Sequence, residues 1–273
     1  MNQRIIFIAG GILIVLSLIK VGVQSQKPAR VAVSQSPSSQ SAQELYSKAQ
    51  ELEKGEDKAQ AQAVYQDILQ NHSDYEQVGA VQKNLEQLNL ELIFSNSEVK
   101  GKTAFHEVAI GDTLVKIADQ YGTTVEMIKR GNNLQSDVIR VGQRLRVWTG
   151  SFNIFVDKSR NVLLLKDGNE VVKVYQVSTG VNNSTPVGNF KIVAKLKDPV
   201  WFHKGIVVPP ESPENELGSR WLGFDMAGYG IHGTIRPESI GQQVTAGCVR
   251  MRNEEVEELF SLVPTGTPVT VVD

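Results

Sequence analysis

The 273-residue chain has one cysteine, Cys248, in the stretch Val244-Thr245-Ala246-Gly247-Cys248-Val249-Arg250-Met251. A lone cysteine cannot pair within its own chain, so three uses stay open: a buried inert thiol, a bridge between molecules, or a reactive nucleophile. The neighbours favour reactivity. Gly247 lets the backbone approach a substrate closely, and Arg250 supplies a cation that favours the thiolate, the form that attacks carbonyls. Upstream, Ile231-His232-Gly233-Thr234 places an imidazole between a glycine-rich turn and another glycine. Imidazole beside a thiol provides the general base, and later the general acid, of acyl transfer. Cysteine and histidine alone are weak evidence, since either also serves in a core.

These residues need a scaffold, and from residue 151 onward the apolar pattern has period two. Residues 152–157, 161–166 and 170–178 read as strands, the last two joined through Asp167-Gly168-Asn169, which has hairpin turn chemistry. Residues 190–197 form another strand. A long segment rich in Pro and Gly, 198–231, reads as a functional loop region. One helix follows, with Asn253 as its expected cap, Glu254 and Glu255 in its first turn, and Val256, Leu259, Phe260 and Val263 facing inward. Residues 268–272 close a mostly β domain with one packed helix.

Four further segments precede it. Residues 104–148 predict a strand–helix–helix–strand unit: strands at 105–109 and 144–148, a helix capped by Asp112 and ended by Gly122, and a second capped by Thr124. Residues 41–97 predict helices, with Leu45, Ala49 and Leu52 on one face, then Ala59, Ala63, Tyr65, Ile68 and Leu69, then Val78, Val81, Leu85, Leu88 and Leu92. Tyr46, Ala49, Ala59, Ala63 and Tyr65 resemble a loose tetratricopeptide pattern, and one such repeat needs a neighbour or a protein partner to cover its apolar face. A plain helical spacer is the competing reading. Residues 1–23 carry an uncharged apolar run, 5–19, read as a signal anchor or a signal peptide, with the uncleaved membrane anchor favoured. Residues 24–40 are a polar linker rich in Ser, Gln and Pro.

With 28 basic and 30 acidic residues the net charge is −2, and no basic stretch is present to neutralise a phosphate backbone, which argues against a nucleic-acid partner. His72, His106, His203 and His232 are scattered without metal-ligand spacing. His106 is expected at the surface and His72 in a helix–helix turn. His203, beside Trp201 and Phe202, is expected to line a cleft or to pack.

The order Gly-Asp-Thr-Leu-x-x-Ile-Ala-x-x-Tyr-Gly from Gly111, then Asn-x-Leu, then Ile-x-x-Gly-Gln-x-Leu, resembles a LysM module, a family that binds the N-acetylglucosamine backbone of peptidoglycan or chitin. His232-Gly233-Thr234 with Ser239-Ile240-Gly241 and Thr245–Met251 resembles the signature of the L,D-transpeptidase (YkuD) catalytic domain. So do Thr185-Pro186-Val187-Gly188-Asn189-Phe190 and Asn215-Glu216-Leu217-Gly218-Ser219-Arg220-Trp221-Leu222, and together these cover essentially all of 151–273. The resemblance implies a cysteine acyltransferase of the cell wall or periplasm, without cofactor or metal. It acts on peptide stems of peptidoglycan through Cys248 and His232 and forms 3-3 cross-links. Gly247, Thr245, Arg250, Gly233 and Thr234 would line the substrate or oxyanion site. Water as acceptor would make it an L,D-carboxypeptidase, a lysine amine would attach a protein, and an inactive catalytic domain would leave a wall-binding LysM protein. Two positions depart from the family pattern. Ala246 stands where histidine is usual, so the carbonyl that orients the base is expected from this region. Glu216 stands where proline is usual, and is expected to affect loop stiffness more than chemistry.

Overall fold

The computed structural model describes residues 4–8, 11–16 and 37–273 except 56 and 204, with side chains from Ser41 onward, His203 excepted. It divides into two compact units, Met1–Leu92 and Ile93–Asp273.

In the first unit, β1 (Arg4–Ile8) and β2 (Gly11–Leu16) pair antiparallel, with Arg4 opposite Leu16. This replaces the single apolar helix expected there. The run is dominated by β-branched Ile and Val, which favour extended backbone, and its glycines weaken a helix. Among the described residues no helix is long and apolar enough to cross a membrane. The remainder of the expected anchor and most of the linker lie outside the described residues.

Helices α1 (Pro37–Lys54), α2 (Lys58–Asn71) and α3 (Val78–Phe94) follow. Their buried faces differ from expectation by a small rotation: Ala42, Tyr46 and Ala49 are buried on α1, and Ala61, Tyr65, Ile68 and Leu69 on α2. Ala59 and Ala63 are exposed. The cause is a tyrosine cluster. The Tyr46 ring lies 6.1 Å from Tyr65 and 6.0 Å from Tyr75. Burial and the Glu53 carboxylate, which accepts from the Tyr65 hydroxyl at 2.7 Å, push the Tyr65 phenol up.

The second unit begins with β3 (Thr103–Glu107), α4 (Leu114–Tyr121), α5 (Val125–Gly131) and β4 (Arg144–Trp148). Strands β3 and β4 pair antiparallel around a core of Val108, Leu114, Ile117, Ala118, Ile128, Leu145 and Val147. The cap of α4 is Thr113, whose hydroxyl accepts from the Lys116 amide, and not Asp112. Asp112 is taken up by the Ala109 amide at 2.8 Å and by His106 Nε2 at 2.9 Å. That pairing also draws His106 in from the expected surface position, its other ring nitrogen 3.3 Å from the Tyr121 hydroxyl. Thr124 caps α5 as expected, and its hydroxyl also donates to the Ser261 carbonyl.

The remaining strands are β5 (Phe152–Asp157), β6 (Val162–Asp167), β7 (Glu170–Gln176), β8 (Thr179–Gly180), β9 (Gly188–Lys197), β10 (Trp201–His203), β11 (Ile206–Val208), β12 (Arg220–Phe224), β13 (Gly230–His232), β14 (Gln243–Thr245) and β15 (Val249–Arg250). Helix α6 (Asn253–Leu262) and β16 (Pro268–Val272) end the chain. Among the described residues, eight strands form one sheet in the order β15-β13-β12-β9-β16-β5-β6-β7. Ser178, just past β7, exchanges both backbone hydrogen bonds with Arg250 on β15 at 2.8 Å each. The two margins of the sheet are thereby brought together, and the sheet curls around its core. The 198–231 segment, expected as loop, holds the β10–β11 hairpin and β12. Its Pro and Gly residues punctuate strands too short to show a period.

Candidate active site

His232 ends β13 and lies opposite Trp221 on β12. The indole and imidazole rings stack with centroids 6.1 Å apart and planes 22° from parallel. On its other side β13 pairs in parallel with β15, Ile231 with Val249 and His232 with Arg250. Extending that register one step back sets Cys248 level with Gly230. Cys248, just before β15, is accordingly hydrogen-bonded by the backbone of Gly230, two residues from His232.

The backbone before Cys248 is held tightly. Gly247 has φ of +136°, and a Cβ there would meet the Tyr229 ring at 2.7 Å, so only glycine fits. Thr245 is buried; its hydroxyl donates to the Cys248 carbonyl at 2.6 Å and accepts the Gly247 amide at 3.2 Å. The thiol donates to the Gly228 carbonyl at 3.5 Å.

His232 is 4% exposed. Its Nδ1 lies 2.6 Å from the Gly233 carbonyl. A carbonyl only accepts, so Nδ1 carries the proton and the neutral ring keeps its lone pair on Nε2. The orienting carbonyl therefore comes from the residue after the histidine, not from the segment around Ala246. Ala246 itself is exposed, and a missing imidazole there leaves the tautomer unaffected. Burial, then the nearby Arg250 charge, lower the His232 pKa to about 4, against opposing hydrogen bonds to the backbone of Gly233 and Glu216.

Burial also pushes the Cys248 thiol up, outweighing the Gly230 backbone hydrogen bond and Arg250, both of which favour the thiolate. Arg250 thus favours the thiolate as expected, but burial outweighs it. The Arg250 guanidinium is engaged elsewhere: Nη1 donates to Ser239 Oγ at 3.1 Å and Nη2 to Glu216 at 2.8 Å. Its buried Nε has no hydrogen-bond partner among the described residues.

Gly233 and Thr234 lie against Asn253. The Asn253 Oδ1 accepts from the Ser219 amide at 3.2 Å and the Thr234 amide at 3.0 Å, and a side chain at Gly233 would collide with it. Asn253 was expected to cap α6. Arg252 takes the cap position, without a side-chain hydrogen bond, because the amide oxygen is committed to the two loops that frame His232. The Thr234 hydroxyl in turn accepts the Arg236 amide at 2.9 Å. Asn253, Ser239, Glu216 and Trp221 are site residues that the sequence reading did not assign. Glu216 and Trp221 lay inside a motif already singled out, so their nearness was open to inference; the acceptor role of Asn253 was hidden by its cap-like position.

Residues 151–271 match the L,D-transpeptidase catalytic domain (YkuD) family, and residues 106–148 match the LysM domain family. The chain belongs to the L,D-transpeptidases. It is 44% identical over 126 residues to YqjB of Bacillus subtilis, which carries the L,D-transpeptidase name, covering 44% of this chain and 70% of that one. It is 32% identical over 173 residues to YkuD of the same organism, also so named, covering 61% of this chain and 97% of that one. A solved L,D-transpeptidase from Mycobacterium smegmatis is similar at 22% identity, with a TM-score of 0.38, over 49% of this chain and 65% of that one. As an L,D-transpeptidase with a LysM domain, the chain is an acyltransferase of the extracytoplasmic wall.

Proposed function

We propose that Cys248 is the nucleophile and His232 the base of a peptidoglycan L,D-transpeptidase that joins tetrapeptide stems by 3-3 cross-links through a Cys248 thioester. The observation that supports this reading is the fixed imidazole: Nδ1 lies 2.6 Å from the Gly233 carbonyl, which sets the tautomer and leaves the lone pair on Nε2, the atom that would take the thiol proton. With the histidine neutral and the thiol protonated at neutral pH, attack and proton transfer are coupled. The thiol proton passes to Nε2 as sulfur attacks the carbonyl between the third stem residue and the terminal D-alanine. The Gly247 amide is engaged by Thr245, which makes the Cys248 amide the backbone donor for the oxyanion. Collapse breaks the C–N bond, the imidazolium returns its proton to the leaving D-alanine amine, and a thioester remains. An amine from a second stem attacks the thioester, gives its proton to His232, and Cys248 leaves as the thiol. The LysM module holds the glycan strand and so keeps stems near the site.

Intact-mass measurement of the full chain after brief exposure to tetrapeptide muropeptide tests the thioester. The expected adduct has the donor mass less D-alanine and is missing in Cys248→Ala. An adduct that persists in that variant would refute the assignment of Cys248.

A further inference from the structure

Glu216 stands where the family pattern has proline, and it is the meeting point of two arginines. Its Oε2 accepts Arg250 Nη2 at 2.8 Å and its Oε1 accepts Arg236 Nη2 at 2.9 Å. The three side chains come from separate stretches, before β12, after β13 and on β15, and they pass from interior to solvent: Arg250 is 5% exposed, Glu216 28% and Arg236 57%. A buried guanidinium without a counter-charge is strongly unfavourable. Arg250 is also level with His232 in the parallel register, so its charge bears directly on the imidazole. Proline could neither accept these hydrogen bonds nor offset that charge.

We propose that Glu216 is a positioning residue for the reaction: its carboxylate, divided between Arg250 and Arg236, holds the Arg250 guanidinium against Ser239 and compensates its charge beside Cys248 and His232. The inference rests on the assignment of those two residues to the chemistry. The charge acting on both residues is Arg250, tied through Glu216 to Arg236, and the Tyr229 ring lies against Gly247. Arg220 on β12 faces Asp198 at 3.8 Å and Glu257 at 3.7 Å, and Arg252 faces Glu255 at 3.4 Å. Two neighbouring changes therefore act with opposite sign. Glu216→Gln keeps the size and an acceptor oxygen but leaves two guanidinium groups uncompensated, which favours the neutral imidazole and the thiolate. Arg236→Gln leaves Glu216 facing Arg250 alone and does the reverse, more weakly because Arg236 is largely exposed and screened.

The test is alkylation of the single cysteine of the full chain by iodoacetamide, followed by intact mass across pH at fixed ionic strength. It needs no peptidoglycan, so it reports on the charge arrangement even if the chain were inactive on muropeptides. Glu216→Gln is expected to move the inflexion to lower pH and Arg236→Gln to higher pH. Where turnover is measured, Glu216→Gln is expected to lower kcat about three- to tenfold through the weaker base. An unmoved inflexion in folded Glu216→Gln, or shifts of the same sign in both variants, would overturn the proposal. Should Glu216→Gln fail to fold, the exposed Arg236→Gln decides alone: an upward shift supports the proposal and no shift overturns it.

Discussion

In the LysM module, most stabilising groups lie within a turn of the residue they serve. Thr113 and Thr124 each cap a helix by accepting the amide three residues on, Gly122 ends α4 in the left-handed conformation, and Asp112 closes back onto Ala109. Around Cys248 and His232, short-range bonds from Thr245 and Gly233 are joined by partners far apart in sequence. Arg250 reaches Glu216 and Asn253 reaches Ser219, both across 34 positions, and Asn253 reaches Thr234 across 19. Loss of one local group should cost the module only that group's contribution. Loss of one long-range group should disturb several strand ends at once, and with them the geometry of the reaction.

The sharpest contrast is in turnover. Cys248→Ala is expected to abolish acyl transfer, and His232→Ala to lower kcat by about 10²- to 10⁴-fold, with little change in melting temperature for the cysteine variant; product formation from muropeptides measures both. Next comes Asn253→Ala. It leaves the amides of Ser219 and Thr234 without their acceptor and should cost about 1–3 kcal/mol together with a fall in kcat, read by denaturant titration and turnover. If stability fell while kcat held, the contrast between the two regions would fail. Thr124→Ala removes a helix cap and the bond to the Ser261 carbonyl, for about 0.5–2 kcal/mol, and should leave kcat on soluble muropeptides unchanged. The smallest effect is expected from Lys197→Ala, whose partly exposed pair with Glu126 at 3.1 Å contributes at most about 1 kcal/mol.

The same contrast governs pH dependence. With the His232 pKa lowered to about 4, the acid limb of kcat/KM should fall near that value and not near the ordinary histidine value of about 6.5. Stability follows with a definite sign. Between those two values the unfolded chain binds a proton that the folded chain does not, so stability drops as pH falls through the window. His232→Gln should remove that part of the slope in a melting-temperature titration.

This difference in range also explains what the sequence reveals. The LysM fold is legible because its caps, glycines and apolar spacing are local; the slip of Asp112 for Thr113 is a shift of a single residue between two competent caps, and the inward position of His106 follows from it. Strands β5, β6, β7, β9 and β16 are legible by alternation. Strand β12 is not, because Arg220–Phe224 is short, contains Gly223 and sits in a stretch dominated by turn residues. Cys248 and His232 stand out by residue type and motif. The Gly233 carbonyl, the Asn253 acceptor and the Glu216 clamp do not, because each depends on chain segments meeting in space, and side-chain type gives no sign of that meeting.

The most direct test of the account is mass spectrometry of purified tetrapeptide muropeptides after incubation with the full chain, wild type beside Cys248→Ala. The account predicts cross-linked dimers, each formed with release of one D-alanine, that vanish in the variant. Tripeptide monomers without dimers would make water the acceptor, and products unchanged between the two chains would contradict the catalytic role of Cys248.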